Sequence, residues 1–229
     1  MKRSDFVFIT GFIILFLPFL LFKDAYDFYR EFNSNYGTLM SFIKFAVLAT
    51  IGESIALRIK NGVYLQKGFG LIPRAIVWGF LGISIKMAFV IFAAGTPLLL
   101  EDFGIQGAAA SMHGELSWLK ALTAFSISVC LNIFYAPVLM TFHKITDTHI
   151  VSNGGTVRGL FRPIRFREIF ENMNWNVHWN FVLKKTIPIF WIPAQTFNFL
   201  LPEEWRILVA AIYGIILGVI LAFASLKAK

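Results

Sequence analysis

Residues 72–100 read IPRAIVWGFLGISIKMAFVIFAAGTPLLL, an apolar run in which only Arg74 and Lys86 are charged. A helix needs about 20 predominantly apolar residues to cross the hydrocarbon core of a bilayer, where its backbone hydrogen bonds must all be made internally. This run is long enough to cross. It predicts an all-α integral membrane protein rather than a soluble domain.

Five further apolar segments extend this interpretation to the rest of the chain. The predicted spans are 6–22, 37–59, 72–100, 116–142, 178–201 and 205–226, which form one integral membrane domain over residues 1–229. The composition agrees, because 57% of the residues are hydrophobic and 15% are charged, whereas about half of an ordinary soluble domain is apolar. Four spans with re-entrant segments are the main alternative to six.

Basic residues between the apolar runs predict the orientation. With the N-terminus in the cytoplasm, the cytoplasmic side holds Lys2, Arg3, Arg58, Lys60, Lys67, Arg74, Lys144, Arg158, Arg162, Arg165, Arg167, Lys184, Lys185, Lys227 and Lys229. The other side holds only Lys23, Arg30 and Arg206. This bias follows the positive-inside rule, so both termini are expected in the cytoplasm. The net charge of +8 is then a topology signal, and no nucleic-acid partner is expected.

A polar stretch follows the fourth run, and the segment 163–181 within it has the pattern of an amphipathic helix. Its apolar residues at helical spacing are Phe166, Ile169, Phe170, Met173, Val177 and Phe181. With arginines before them, they predict an interfacial helix on the anionic lipids of the cytoplasmic face. An ordinary solvated linker is the alternative.

Ionisable and amide side chains within the apolar runs are the candidates for function. A charge at the centre of a membrane helix costs about 2.5–3.5 kcal/mol on insertion scales. Lys86 lies deepest in its run, Glu53 shares a face with small residues, and Asn132, Gln195 and Asn198 lie on polar faces of later runs. We expect these five to line a polar path. Glu53 has an alternative role, as the partner of a basic residue on a neighbouring helix.

Small residues recur at every fourth position of the last run. Ala210, Gly214, Gly218 and Ala222 form a stripe that permits close helix packing, either within the fold or in a homo-oligomer.

The remaining residue types point away from catalysis. Cys130 is the only cysteine, and the four histidines have no recognisable ligand spacing. No nucleophile, base and metal set assembles from the sequence. We therefore expect no enzyme activity, no cofactor and no metal site.

One segment near the C-terminus resembles a known family. Its residues are Trp191, Pro193, Gln195, Asn198, Phe199, Pro202 and Arg206. They resemble the closing signature of the Mpv-seventeen/PMP-twenty-two family, small membrane proteins of peroxisomes, mitochondrial inner membranes and some bacteria. One residue fewer separates Asn198 from Pro202 than in that signature, and Pro193 stands one place later after Trp191.

Upstream residues extend the resemblance. Gly52 and Glu53 are similar to the family's Gly-Asp pair, and Ala136 with Pro137 is similar to its alanine-proline pair, although Asn132 and its neighbour replace an Asp-Gln. The resemblance implies a compact helical membrane protein, which in some members is suggested to form a weakly selective channel.

The sequence therefore favours a channel-like protein for small solutes or ions, with Lys86 selecting anions or small neutral solutes over cations. The alternative is a non-conducting scaffold or assembly factor that acts through helix packing and the basic interfacial helix. We expect a bacterial cytoplasmic membrane, with a mitochondrial inner or peroxisomal membrane as the alternative.

Overall fold

The computed structural model describes residues 2–227, without the side chains of 224, 225 and 227, and this part of the chain contains helices and no strand. The α-helices are α1 (Arg3–Leu21), α2 (Lys23–Asn35), α3 (Gly37–Asn61), α4 (Leu71–Asp102), α5 (Ala108–Ser111), α6 (Trp118–Phe134), α7 (Ala136–Ser152), α8 (Val157–Leu160), α9 (Phe166–Asn172), α10 (Trp175–Val177), α11 (Ile192–Leu200) and α12 (Glu203–Lys227), and a π-helix (His178–Trp191) precedes α11.

Four of these helices are long and apolar enough to cross a membrane: α1, α3, α4 and α12. The helices α6 and α7, bent by 43° relative to each other, count as a fifth candidate if the pair is one span. The predicted spans 6–22, 37–59, 72–100 and 205–226 are thus confirmed as candidate membrane helices. Within the described residues, 178–201 is not among the candidates, and the count of six stays a prediction.

The predicted span 116–142 needs correction at both its middle and its end. Tyr135 separates α6 from α7, and Pro137 follows in the first turn of α7. Proline lacks the N–H that would continue the hydrogen bonds of α6, so the chain bends there. Helix α7 then continues to Ser152, ten residues past the predicted end at 142.

The segment 163–181 does not form the single amphipathic helix that the sequence predicts. A short helix ends at Asn172, Met173 is extended, and a new helix begins at Trp175. The side chain of Asn174 caps this second start, because its Oδ1 accepts from the N–H of Val177 at 3.0 Å. This Asn cap explains the break, since it favours a new helix start over continuation.

The π-helix is the most unusual element of the backbone. It covers 14 residues, whereas π-type hydrogen bonding is normally confined to a single turn and is frequent at functional sites. It contains Pro188 and runs directly into α11, which has Pro193 in its first turn.

Helix α3 occupies the centre of the bundle and packs against α4 on one side and α12 on the other. Gly82 allows the first contact, because a Cβ at this position would lie 2.6 Å from the backbone oxygen of Ser41. Phe45, Leu48, Ile85 and other apolar side chains fill the core between α3, α4, α6, α11 and α12.

Helix α1 lies at the edge of this bundle, and none of its apolar window is buried. Two contacts hold it near the end of α3. Arg58 donates from Nε and Nη2 to the two carboxylate oxygens of Asp5 at 2.7 and 2.9 Å, and the rings of Phe8 and Tyr64 stack with centroids 4.1 Å apart. Burial, and then the nearby Asp5 carboxylate, raise the pKa of the Tyr64 phenol above its ordinary value.

Candidate functional site

A central cavity of about 350 Å³ lies within the bundle, between α3, α4, α6, α7, the π-helix, α11 and α12. Its polar lining consists of Glu53, Trp78, Asn132, Tyr135, His143, Lys144, His178, Thr186, Trp191 and Gln195. Residues from well-separated parts of the sequence therefore converge on one partly open cavity. Three of the five predicted path residues, Glu53, Asn132 and Gln195, are among them.

Glu53 is the centre of a polar network at one side of this cavity. It forms an ion pair with Arg74, which also pairs with Asp147. The indole Nε1 of Trp78 donates to its Oε1 at 2.7 Å, and Nε2 of His143 lies 3.1 Å from the same oxygen. Glu53 thus pairs with a basic residue of a neighbouring helix, one of the two roles that the sequence left open, and it also lies on the cavity wall. Its place on a polar path stays a prediction.

Arg74 is fixed by further contacts at the start of α4. Its Nε donates to the backbone oxygen of Phe69 at 2.6 Å, and its guanidinium lies 4.6 Å from the centre of that residue's ring. The side chains of Arg74 and Glu53 are 10% and 18% exposed. A charge this buried needs its partners, since an unpaired charge in the interior is costly. The network therefore ties α3, α4 and α7 together at one end of the cavity.

The amide residues lie deeper in the bundle. Nδ2 of Asn132 donates to the backbone oxygen of Ser128 at 2.9 Å, and the Ser128 hydroxyl donates to the backbone oxygen of Ile192 at 2.7 Å. These bonds join α6 to the start of α11. The polar face predicted for the fourth run is thus turned inward, with Ser128 and Asn132 both buried.

Trp191 adds a free donor to the cavity wall. Its indole Nε1 is one of four buried polar side-chain atoms without a hydrogen-bond partner among the described residues. Trp191 lines the central cavity at the junction of the π-helix and α11. Buried donors are nearly always satisfied, so an unpaired indole N–H at this position is unusual.

The small-residue stripe of α12 divides into two buried alanines and two glycines on the cavity wall. Ala210 and Ala222 are buried. A Cβ placed on Gly214 or Gly218, in contrast, would meet no described atom within 4 Å, and both glycines line the cavity. The absence of side chains at these two positions therefore leaves the space that the cavity occupies.

A second, larger cavity of about 810 Å³ lies at the other end of α3. We call it the vestibule. Its charged lining residues are Lys44, Lys86, Lys120, Glu203, Glu204 and Arg206, contributed by α3, α4, α6 and α12. Asn33 and Ser34 of α2 lie on its wall as well.

Phe89 lines both the vestibule and the central cavity. Its buried ring lies 5.1 Å from that of Phe199, centroid to centroid, and Phe45 and Ile85 are buried in the same cluster. A layer of apolar side chains thus stands between the two cavities.

Two predicted path residues lie elsewhere. Lys86 opens into the vestibule rather than the central cavity, and its Nζ reaches Thr38 Oγ1 at 3.3 Å, level with the start of α3. Asn198 lines neither of these cavities: it is fully buried, and its Nδ2 donates to Gln195 Oε1 at 2.9 Å and to the backbone oxygen of Arg206 at 3.0 Å. It braces the turn between α11 and α12 instead of lining either cavity.

The signature residues near the C-terminus come together at this turn. Arg206 donates from Nε to the backbone oxygen of Leu201 at 3.0 Å and from Nη2 to that of Phe199 at 3.2 Å. Carbonyls at a helix end have no partner within the helix, so Arg206 and Asn198 satisfy groups that the turn would leave free. The motif therefore has a structural basis in this chain.

Sequence reasoning did not assign Arg74, Trp78, His143 or Asp147 to the site, nor Phe89 to the layer between the cavities. Asp147 and His143 lie in the stretch interpreted as a polar linker, although their four-residue spacing on a helix was a usable signal. Phe89 is one of 26 phenylalanines, and nothing in the sequence distinguishes it from those that face lipid.

Comparison of the chain with protein-family models, with curated proteins and with solved structures finds no match in any of the three. The family resemblance thus stays a prediction from the signature residues.

Proposed function

We propose that this chain is a channel-like membrane protein that lets small solutes or ions cross with weak selectivity. The observation that carries the proposal is the arrangement of two cavities one after the other along the bundle. The apolar layer at Phe89 separates them. Charged side chains, hydrogen-bonding groups and apolar constrictions are the features that set selectivity and gating in pores, and the linings of the two cavities together with the layer between them contain all three. The described conformation corresponds to a closed state, because Phe89 and Phe199 fill the boundary.

The resemblance to the Mpv-seventeen/PMP-twenty-two family supports the same proposal. The arrangement of Gln195, Asn198, Phe199 and Arg206 at one turn gives its signature a physical reason. Membership in that family is part of the proposal.

Planar-bilayer recording of the purified protein tests this function. We expect discrete currents, and Lys86→Ala should lower the permeability of anions relative to cations, because it removes a positive charge from the vestibule. Lys67→Ala is the matched control, since Lys67 is exposed in the loop between α3 and α4. A folded, inserted protein that passes neither ions nor labelled neutral solutes would refute the proposal.

We also propose six crossings with both termini in the cytoplasm. The π-helix and α11 follow each other without a break over residues 178–200, which is long enough for a membrane span. Single cysteines introduced at Asn61 and Phe103, in a Cys130→Ala background, should react with an impermeant maleimide from opposite sides. Labelling of both from one side would contradict this topology.

The exposed face of α1 favours a second candidate, a scaffold function. This helix buries none of its apolar window within the fold, so it can pack against a helix of another protein. Crosslinking of α1 to a stable partner, with no conductance from the purified protein, would favour the scaffold over the channel.

A further inference from the structure

We propose that the vestibule is a binding site for a small oxyanion, a phosphate or carboxylate group. This inference rests on the proposed channel function in one respect: the oxyanion is the class of solute that would enter the path. The binding itself is a property of the vestibule lining and can be measured without any current.

Lys44 is the main evidence. Its side chain is 6% exposed, yet its only hydrogen-bond partner among the described residues is a neutral amide oxygen, Asn33 Oδ1, at 2.6 Å. Its Nζ also lies 5.3 Å from the centre of the Tyr29 ring. Buried lysines are nearly always paired with an acid. Lys44 therefore lacks the counter-charge that its burial calls for, and it lies on the wall of a cavity.

Two other ammonium groups on the wall lack an acid as well. Within residues 2–227, no carboxylate lies within 4 Å of the Nζ of Lys44, Lys86 or Lys120. Lys86 reaches only the Thr38 hydroxyl, and Lys120 the backbone oxygen of Gly114 at 2.8 Å.

The two acidic residues of the vestibule do not neutralise its basic residues, so its lining has a net positive charge. Glu203 and Glu204 are exposed in the first turn of α12, on the same wall as Arg206. Four basic side chains thus stand against two acidic ones. The guanidinium of Arg206 is held by backbone oxygens, so the three lysines are the groups available to a ligand.

The size of the vestibule sets an upper limit on the ligand. At about 810 Å³ it falls within the range of small-molecule sites, about 300–1,000 Å³. Charge-assisted hydrogen bonds from several lysines to one oxyanion are strong and place its negative charge where the counter-charge is missing. A free phosphate or carboxylate and the headgroup of an anionic lipid share this chemistry.

Thermal unfolding of the purified, delipidated protein in nonionic detergent tests the site. Inorganic phosphate should raise Tm by about 2–4 °C, and glycerol at equal concentration should not. The shift should be lost in Lys44→Gln and in Lys86→Gln but kept in Lys67→Gln, whose lysine lies at the opposite end of the bundle. The second variant keeps the test valid if Lys44→Gln does not fold.

Reconstitution separates the two sources of the oxyanion. A Tm shift with free phosphate identifies a soluble ligand, whereas a shift only with phosphatidylglycerol, and not with phosphatidylcholine, identifies a lipid headgroup; either result supports the site. Equal shifts in wild type, Lys44→Gln and Lys86→Gln, or no shift with either ligand, would overturn it. If phosphate binds but the protein passes no current, the binding site is supported and the channel function is rejected. If the protein passes current but binds no oxyanion, the channel function is supported and the binding site is rejected.

Discussion

The ring of Phe89 lies 5.1 Å from the ring of Phe199, centroid to centroid, at the boundary that divides the central cavity from the vestibule. Phe89 comes from α4 and Phe199 from α11, and both are buried. Because apolar constrictions exclude water and ions, this pair of rings is the obvious barrier between the two cavities.

Phe89→Ala should therefore raise conductance in bilayers, because it removes the ring that faces both cavities. We expect a cost of about 3–5 kcal/mol in stability, as for other buried phenylalanines, which a lower Tm would report. Phe80→Ala is the matched control, since Phe80 lies on the same helix and is 63% exposed. Equal currents from the two variants, per folded protein, would contradict the barrier.

Gly214→Val should have the opposite effect on permeation. A Cβ at this position points into open space, so the new side chain fills part of the central cavity without displacing a neighbour. Stability should change by less than about 1 kcal/mol, the scale of the propensity difference between the two residues, while current or solute flux falls. Gly95→Val, on an exposed turn of α4 with equally open space, should leave flux unchanged.

Arg74→Gln should destabilise the protein more than Glu53→Gln does. The first change leaves the partly buried carboxylates of Glu53 and Asp147 without their shared partner, and breaking a buried pair costs about 3–5 kcal/mol. The second leaves Arg74 paired with Asp147, with an expected cost of about 1–3 kcal/mol. Thermal unfolding in detergent measures both, and the reverse order would contradict the role of Arg74 as the shared partner of Glu53 and Asp147.

A surface ion pair gives the scale for that comparison. Arg167 pairs with Glu171 at 2.8 Å, but the two side chains are 90% and 59% exposed. Arg167→Gln should therefore change stability by no more than about 1 kcal/mol.

Asp5→Asn should loosen α1 from the bundle. The two charged hydrogen bonds from Arg58 are then weakened, and the ring stack of Phe8 on Tyr64 remains as the main contact at that end. In a Cys130→Ala background, Phe8→Cys with Tyr64→Cys removes the ring stack, so the Asp5–Arg58 pair becomes the main contact at that end. This double variant should crosslink efficiently through a short bis-maleimide, and adding Asp5→Asn should lower the yield. Phe6→Cys with Tyr64→Cys is the control, because Phe6 is 64% exposed. A crosslinking yield that does not change with Asp5→Asn would show that the ion pair does not hold α1 in place.

The sequence predicts the helices better than it predicts their relative positions. Apolar length alone identifies α3, α4 and α12, and the polar faces of Asn132 and Gln195 are correctly turned inward. Lys86 shows the limit of this approach. Its position deep within its own apolar run is correct, but the neighbouring helix α3 begins at the same level, so the side chain of Lys86 lies in the vestibule. That offset between two helices is a tertiary property without a signal in either segment.

Residues 143–152 illustrate a second limit. Hydropathy separates apolar from polar stretches, whereas α7 is an apolar helix in its first half and a polar one in its second. Asp147 belongs to the Glu53 network only because α7 continues to Ser152. The sequence therefore predicted Glu53 as a member of the network but not Asp147. The outcome for Asn198 has the same origin, because its partners at the turn depend on how α11 and α12 meet.

The lack of buried surface on α1 has an evolutionary consequence. Apart from Asp5, Phe8, Phe16 and Phe19, which contact the rest of the fold, its side chains face outward and need mainly an apolar character. Selection then acts on the apolar character of this helix and hardly on its particular residues. Its sequence is free to drift between relatives much faster than α3 or α11, and those two helices are where common ancestry should remain detectable longest.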